Sequence, residues 1–382
     1  MRIVINAIIA KKGAGGAFQI SSNFILESLE YNDVEWYWWV SKDLDAAIGE
    51  RFSEYKDTRY FVFPTQPDFK HSYFKVKKEL KVIEKRINPD LIYSITAPCY
   101  FSFKAPEVMR FTNPYITHLN KFAWSIVPPK RKIWDIVYIA LQKRLIKDNK
   151  YFITQSQTCK KGIVRITGTS NNNVCVVSNV LPAAYRAASR DHLPCDGNWI
   201  DVACIGAPFP HKNFGILPEV LLELNKMGVN NLRFQITIPK DNPLYENIEK
   251  RLENYGLRDH LITHGRCTQQ QLIDVYRKCR FCYQPTTLEV FSASAIEAMY
   301  FQLPTVATML PFNQEVFQDS CLYCEPCNAN SAAIQFARLA SDELLQKELC
   351  KRMEGRLAVY GDYGNHFSTT KCFLMNVVNK EL

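Results

Sequence analysis

The chain lacks any apolar run long enough to cross a bilayer. Its most apolar stretches, 36–40 and 133–141, fall far short of the roughly 20 residues that a membrane-spanning helix requires, so no transmembrane segment is expected. The opening residues MRIVINAIIA lack the long apolar stretch and small-residue cleavage site of a secretory signal. Thirteen cysteines is an odd number. Together these favour a reducing cytoplasmic compartment over a disulfide framework. There is no short-period repeat and no low-complexity tract, which excludes a fibrous or disordered chain. Dinucleotide fingerprint and Walker loop are both missing, because no Lys-Ser or Lys-Thr follows the glycines of the first loop. Asp43-Leu44-Asp45 is the only Asp-x-Asp. It lies at a polar helix start, where acids favourably meet the dipole, and reads as structural rather than as a metal clamp.

What is present is a large globular composition. Of 382 residues 47% are hydrophobic and 22% charged, which predicts an extensive core and two or three domains. The net charge of +9 is uneven: residues 1–178 hold 27 Lys and Arg against 16 Asp and Glu, and the remainder holds 20 against 22. Such asymmetry suggests that one half faces an anionic surface while the other is electrostatically separate.

Short β-rich runs alternate with amphipathic stretches, the pattern of parallel βα units. Strands are predicted at 2–9, 34–40, 60–63, 90–95, 108–112, 151–154 and 174–178, and again at 199–205, 232–238, 261–264, 281–284 and 305–308. Helices are predicted at 17–30, 71–87, 130–150, 213–225, 268–279 and 293–300. In 130–150, Trp134, Val137, Tyr138, Leu141 and Leu145 recur at helical spacing and form one apolar stripe. The stretch 179–198 loses periodicity and collects Pro, Gly and Asn, as a connection does. The expectation is α/β: two doubly wound, Rossmann-like parallel-sheet domains, 1–178 and 199–382, with a ligand at the carboxyl ends of the strands.

Three segments carry candidate chemistry. Lys11, Lys12, Gly13, Ala14, Gly15 and Gly16 lie between the first strand and its helix, where glycines let backbone N–H groups approach a phosphate or sugar; a plain tight turn is the alternative. The run from Ile205 to Asn213 opens the second half and contains Lys212 in a first helical turn. The dipole disfavours a cation there, so its presence leans towards binding a diphosphate. The third runs from Pro285 to Met299, through a strand end and a turn into a helix. It brings Val290, Phe291 and Ser292 to the helix start and separates Glu289 from Glu297 by seven residues. Glu289 would sit beside a reacting sugar, and Glu297 could accept two hydrogen bonds from a ribose diol. Ser294 and Glu297 also have the S-x-x-E spacing of a capping box, so that alternative stands.

These residues, in this order, resemble the retaining glycosyltransferases of family four, which have the two-domain GT-B fold. The resemblance spans 199–348 and includes Gly206 with Lys212-Asn213, His264-Gly265-Arg266 and the run from Thr268 to Thr308 with its two glutamates; 1–178 matches more loosely, through the glycine loop and strand order. It implies two domains facing a cleft, an acceptor side at 1–178, a donor side at 199–382, and a last helix that crosses back to the first domain. It puts Lys212 on the donor diphosphate, Glu289 on the donor sugar and Glu297 on the ribose. Val290 to Ser292 would hold the diphosphate, Gly15 and Gly16 would line the cleft, and Arg266 would lie near the base. His118 falls where members place a residue near acceptor or donor sugar; a loop histidine with a structural hydrogen bond is the alternative. Two departures matter: Ala207 stands where the family has an arginine, and Val290 and Ser292 replace glycines. The missing cation would come from Arg266 or Lys11, or turnover is impaired.

The resemblance thus implies a retaining, metal-independent glycosyltransferase with a nucleotide-sugar donor, no cofactor, and a saccharide acceptor, lipid-linked, in surface polysaccharide biosynthesis. The alternatives are a sugar-nucleotide epimerase of the same architecture and a non-catalytic nucleotide-sugar-binding partner. Cys321, Cys324 and Cys327, with Cys279 and Cys282, have metal-like spacings. Free cysteines are common core residues, and no metal is expected. Residues 121–150 carry eight cations against Asp135 and Asp148, with Trp124 and Trp134, and suit peripheral docking on an anionic membrane from the cytoplasmic side. No nucleic-acid motif accompanies the charge.

Overall fold

The computed structural model describes residues 1–12, 16–64, 72–194 and 197–381. They form two compact units: Met1–Thr117 with Asp135–Ser178 and Tyr363–Leu382, and His118–Trp134 with Asn179–Asp362.

The first unit is built on seven strands, β1 (Arg2–Ala7), β2 (Glu35–Ser41), β3 (Tyr60–Phe63), β4 (Leu91–Ser94), β5 (Glu107–Arg110), β6 (Tyr151–Thr154) and β7 (Val174–Val176). All pair in parallel in the order β3-β2-β1-β4-β5-β6-β7. Both faces are covered, which is why these strands are almost continuously apolar instead of alternating. On one face Ile3, Ile5, Tyr93 and Val108 pack with Phe24 of the helix Gly16–Glu27 and with Phe367 and Leu374 of the helix Tyr363–Asn379. On the other, Val4, Trp39 and Ile92 meet Leu80 and Ile83 of the helix Tyr73–Ile87.

The second unit has six strands, β8 (Ile200–Cys204), β9 (Leu232–Ile236), β10 (Leu261–Thr263), β11 (Phe281–Gln284), β12 (Thr305–Thr308) and β13 (Leu322–Cys324), again all parallel, in the order β10-β9-β8-β11-β12-β13. Val202, Phe234 and Tyr283 bury against Val220 and Phe336 on one face. Ala203, Cys282 and Ala307 bury against Ala295, Met299 and Met353 on the other. Between β8 and β9 the buried Asp201 accepts two hydrogen bonds from Arg233, at 2.7 and 3.0 Å, and one from Gln235 at 2.6 Å. A charge taken out of water is tolerable only when paired and hydrogen-bonded in this way.

The doubly wound expectation is met in both sheets. Strands 60–63, 151–154, 281–284 and 305–308 and the helix 293–300 coincide with their predicted bounds. The helix predicted from 213 begins later, at Leu217, because Asn213 takes a left-handed φ of 55° and the chain makes two short 3₁₀ turns first. The predicted apolar stripe lies on a helix, but most of it faces outward. In the helix Pro129–Lys147 the buried residues are Gln142 and Ile146, whereas Trp134, Val137, Tyr138 and Leu141 are 75, 58, 46 and 49% exposed. Periodicity reports that a stripe exists, and only packing decides whether a neighbour covers it. Asp43 and Asp45 occupy the first turn of the helix Lys42–Ile48, capped by Ser41, and Asp43 accepts the Lys12 backbone N–H at 2.7 Å. Among the described residues no cluster of three or more His, Cys, Asp or Glu side chains is arranged to hold a metal ion.

Gly162, in the helix Gln157–Thr167, lies so close to Thr117 that an added Cβ would stand 2.3 Å from the Thr117 carbonyl oxygen. Backbone cannot yield as a flexible side chain can. Gly162→Ala is therefore expected to destabilise the fold by about 1–3 kcal/mol, measured as a lowered urea midpoint with unchanged slope; an unchanged midpoint would contradict this packing.

Candidate functional site

In the second sheet β8, β9 and β10 succeed one another in one direction and β11, β12 and β13 in the other. The reversal falls between the adjacent strands β8 and β11. Loops leaving the carboxyl ends of two such strands turn to opposite faces and open a crevice, the usual ligand position of this architecture. The loop after β8 holds Gly206 to Asn213, and the loop after β11 holds Pro285 to Ser292.

The two loops are tied together at one atom. The carbonyl oxygen of His211 accepts from the Thr287 backbone N–H at 2.8 Å and from the hydroxyls of Thr286 and Thr287 at 3.0 and 3.2 Å. This places Lys212 Nζ 2.6 Å from Glu289 Oε1. The ion contact is close but not aligned for a hydrogen bond, and Glu289 Oε1 is buried without one. The stem of Lys212 lies over Gly206, where a Cβ would come within 3.3 Å of it. A glycine there leaves room for the lysine.

His211 Nε2 is 3.8 Å from the same carboxylate oxygen, and its ring stacks on Phe209 at 5.6 Å. Burial pushes the His211 imidazole down to about 4, against the pull of Glu289, with Lys212 and Arg131 lowering it further. At neutral pH the imidazole is uncharged, so Lys212 and Glu289 balance and this part of the crevice is close to electroneutral.

His118 and Asn120 belong to this unit and not to the one that surrounds them in sequence. His118 Nε2 donates to the Glu289 carbonyl at 2.7 Å, and Asn120 Nδ2 donates to the Thr287 carbonyl at 2.7 Å. A carbonyl only accepts, so the His118 proton sits on Nε2. One short segment, 118–120, thereby holds the backbone carbonyls of Thr287 and Glu289.

Glu297 is 8% exposed and accepts from the Tyr276 hydroxyl at 2.7 Å. Burial raises its pKa, and the hydrogen bond from Tyr276, the Lys212 charge and Tyr185 oppose that rise. The capping-box alternative is excluded: the helix Ala293–Tyr300 has Ser292 at its N-cap with no side-chain cap, and Ser294 Oγ takes a hydrogen bond from Gln284 at 3.1 Å. Val290, Phe291 and Ser292 are all buried, Phe291 edge-on to Tyr360.

The structure thus brings Lys212, Glu289 and His118 together, with Glu297 within the electrostatic reach of Lys212. Arg266 does not join them: it is exposed after the edge strand β10, with no hydrogen bond or ion pair to the group among the described residues. Gly15 lies outside the described residues, and Gly16 begins the helix Gly16–Glu27 of the first unit. His211, Asn120, Thr286, Thr287, Tyr276 and Arg131 were missed by sequence reasoning. For His211 and the threonines adjacency to Lys212 and Glu289 was a usable signal; for Asn120 and Arg131 there was none.

A Rossmann-like unit with a lysine–glutamate pair at its switch point presents that pair where doubly wound domains usually place a ligand. Residues 186–356, all within the second unit, match the model of the family described as glycosyl transferases group 1. An uncharacterised glycosyltransferase of Methanocaldococcus jannaschii is 23% identical over 228 residues, 59% of this chain; the chain spans about 60% of that relative's length. In fold the chain is similar to a glycosyltransferase from Rickettsia africae, with TM-score 0.71 and 13% identity over 100% of this chain and 99% of the other. It is equally similar to the Anabaena protein HepE in complex with UDP, with TM-score 0.71 and 14% identity over 98% and 100%. A lipopolysaccharide outer core galactosyltransferase, WaaB, follows with TM-score 0.62, 14% identity and full coverage of both chains. The fold is the two-domain GT-B architecture.

The depressed His211 pKa has a consequence for stability. Unfolded, the imidazole titrates near 6.5; folded, near 4. Below 6.5 the unfolded chain binds the additional proton, so stability is full above that pH and is lost as pH falls towards 4. Between pH 7 and 5 this group is expected to cost about 2 kcal/mol, and His211→Gln should flatten that part of the profile in urea titrations; parallel profiles would refute it.

Proposed function

We propose that the chain is a glycosyltransferase that moves a sugar from a nucleotide-diphosphate donor to a hydroxyl of a saccharide acceptor, with retention at the anomeric carbon and without a metal ion. The observation that carries the reading is the Lys212–Glu289 pair at the switch point of a domain matched by the group 1 family. An arriving diphosphate competes with Glu289 for the lysine, and the released carboxylate is then available to the hydroxyls of the donor sugar. Lys212 and the N-terminus of the helix Ala293–Tyr300 stabilise the negative charge that develops as the sugar–oxygen bond breaks. The acceptor oxygen attacks the same face of the oxocarbenium-like sugar, and its proton passes to the departing phosphate. Glu297 receives the ribose diol with the carboxylate oxygen not engaged by Tyr276.

A second reading, a nucleotide-sugar-binding partner without turnover, is favoured by Ala207 alone. It predicts donor binding but no reaction.

The acceptor is proposed to be lipid-linked, within surface polysaccharide biosynthesis, with the protein docked peripherally on an anionic membrane. The support is the helix Pro129–Lys147, whose exposed apolar residues are flanked by Lys143, Arg144 and Lys147. Such a face combines insertion of apolar side chains with attraction to anionic headgroups.

Two experiments test this. Lys212→Ala and Glu289→Ala should each lower donor turnover by about 10²-fold or more, after thermal shift against UDP, GDP, ADP and CDP sugars has identified the donor; full turnover in both removes the assignment. For docking, co-sedimentation with phosphatidylglycerol vesicles should exceed that with phosphatidylcholine and fall on Val137→Ser/Leu141→Ser. Equal partition to both lipids, or no effect of the substitutions, removes the membrane contact.

A further inference from the structure

A separate concave feature with a positively charged lining lies at the opposite end of the second sheet. Ile200 and Phe281, the first residues of β8 and β11, and Pro304, just before β12, line a cavity of about 640 Å³. The donor loops leave the other ends of β8 and β11, so this cavity is separate from the Lys212–Glu289 group. Arg280, Lys347 and Lys351 also line it, together with His192 and Gln302. The charged groups of these three side chains make no hydrogen bond or ion pair with another described residue, although the Arg280 backbone N–H donates to the Asp201 carbonyl. The one carboxylate in the lining, Glu354, is 3.6 Å from Arg190, which lies outside the lining.

The arrangement on the helix Glu343–Leu357 is informative. Its neighbouring face follows the usual pairing, with Glu348 and Arg352 bonded at i,i+4. On the cavity face the i,i+4 positions are Lys347 and Lys351, a like-charge pair that weakens a helix where an opposite pair would support it. Arg280 then adds a third positive charge from the sheet. Three cations against one carboxylate on a concavity raise the local potential and favour anions. Its volume is in the range of small-molecule sites.

We propose that this cavity binds a small polyanion of the diphosphate class, held by Arg280, Lys347 and Lys351. The inference does not rest on the donor-site reading. Calorimetric titration of the full chain with inorganic pyrophosphate at physiological ionic strength tests it. Binding should weaken about tenfold or more, about 1.4 kcal/mol, in Arg280→Gln/Lys347→Gln, should strengthen in Glu354→Gln, and should persist in Lys212→Ala. Equal affinity in the wild type and in Arg280→Gln/Lys347→Gln overturns the proposal. So does loss in Lys212→Ala alone, or an adventitious ion only, seen as millimolar binding that sulfate or chloride matches at equal ionic strength.

Discussion

The candidate site depends on the reversal of strand order between β8 and β11. Adjacent parallel strands whose connections leave to opposite faces cannot close over their own carboxyl ends, and the gap between their loops is created by topology before any side chain is chosen. The second unit fills that gap with two short loops. Their mutual position is set by the His211 carbonyl, which receives three donors from Thr286 and Thr287. Without that junction, Lys212 and Glu289 would be two flexible charged side chains on separate loops. With it they meet at 2.6 Å.

The electrostatics follow from this placement. Burial keeps His211 neutral, Glu289 answers Lys212, and Glu297 is hydrogen-bonded by Tyr276, so the Lys212 charge is already paired in a weakly solvated place. An unpaired charge there would be costly. A bound anion changes the pairing instead of filling an empty positive hole, and such an exchange makes the ion pair part of the recognition. The positive surplus of the chain is elsewhere. The first unit carries 25 Lys and Arg against 17 Asp and Glu, and the second 22 against 21. Lys121, Lys130, Arg131 and Lys132, counted by sequence with the first half, belong to the second unit and bring its balance close to zero.

Much of the fold was legible because parallel strands buried on both faces read as short apolar runs, whatever they pack against. β6, β11 and β12 needed nothing more, and the helix Ala293–Tyr300 announced itself by following a strand and a turn. Lys212, Glu289 and Glu297 were legible through their order in a recognisable run. The spacing Ser294 to Glu297 left two readings open, since the same letters serve a helix cap and a buried tyrosine–glutamate bond. The stripe Trp134, Val137, Tyr138 and Leu141 shows a different limit: helical spacing is a local property, and exposure depends on residues distant in sequence.

The sequence by itself determined two parallel α/β sheets, the alternation of strand and helix that orders them, and the residue types at the ends of β8 and β11. These are consequences of local periodicity and of backbone hydrogen bonding, which act within a few residues. Only the tertiary structure decided that His118 and Asn120 buttress Glu289 across some 170 positions, that Arg266 stands apart, and that Arg280 meets Lys347 and Lys351 on one cavity. Such meetings depend on which faces pack together. That is a property of the whole chain's burial, and no local pattern encodes it.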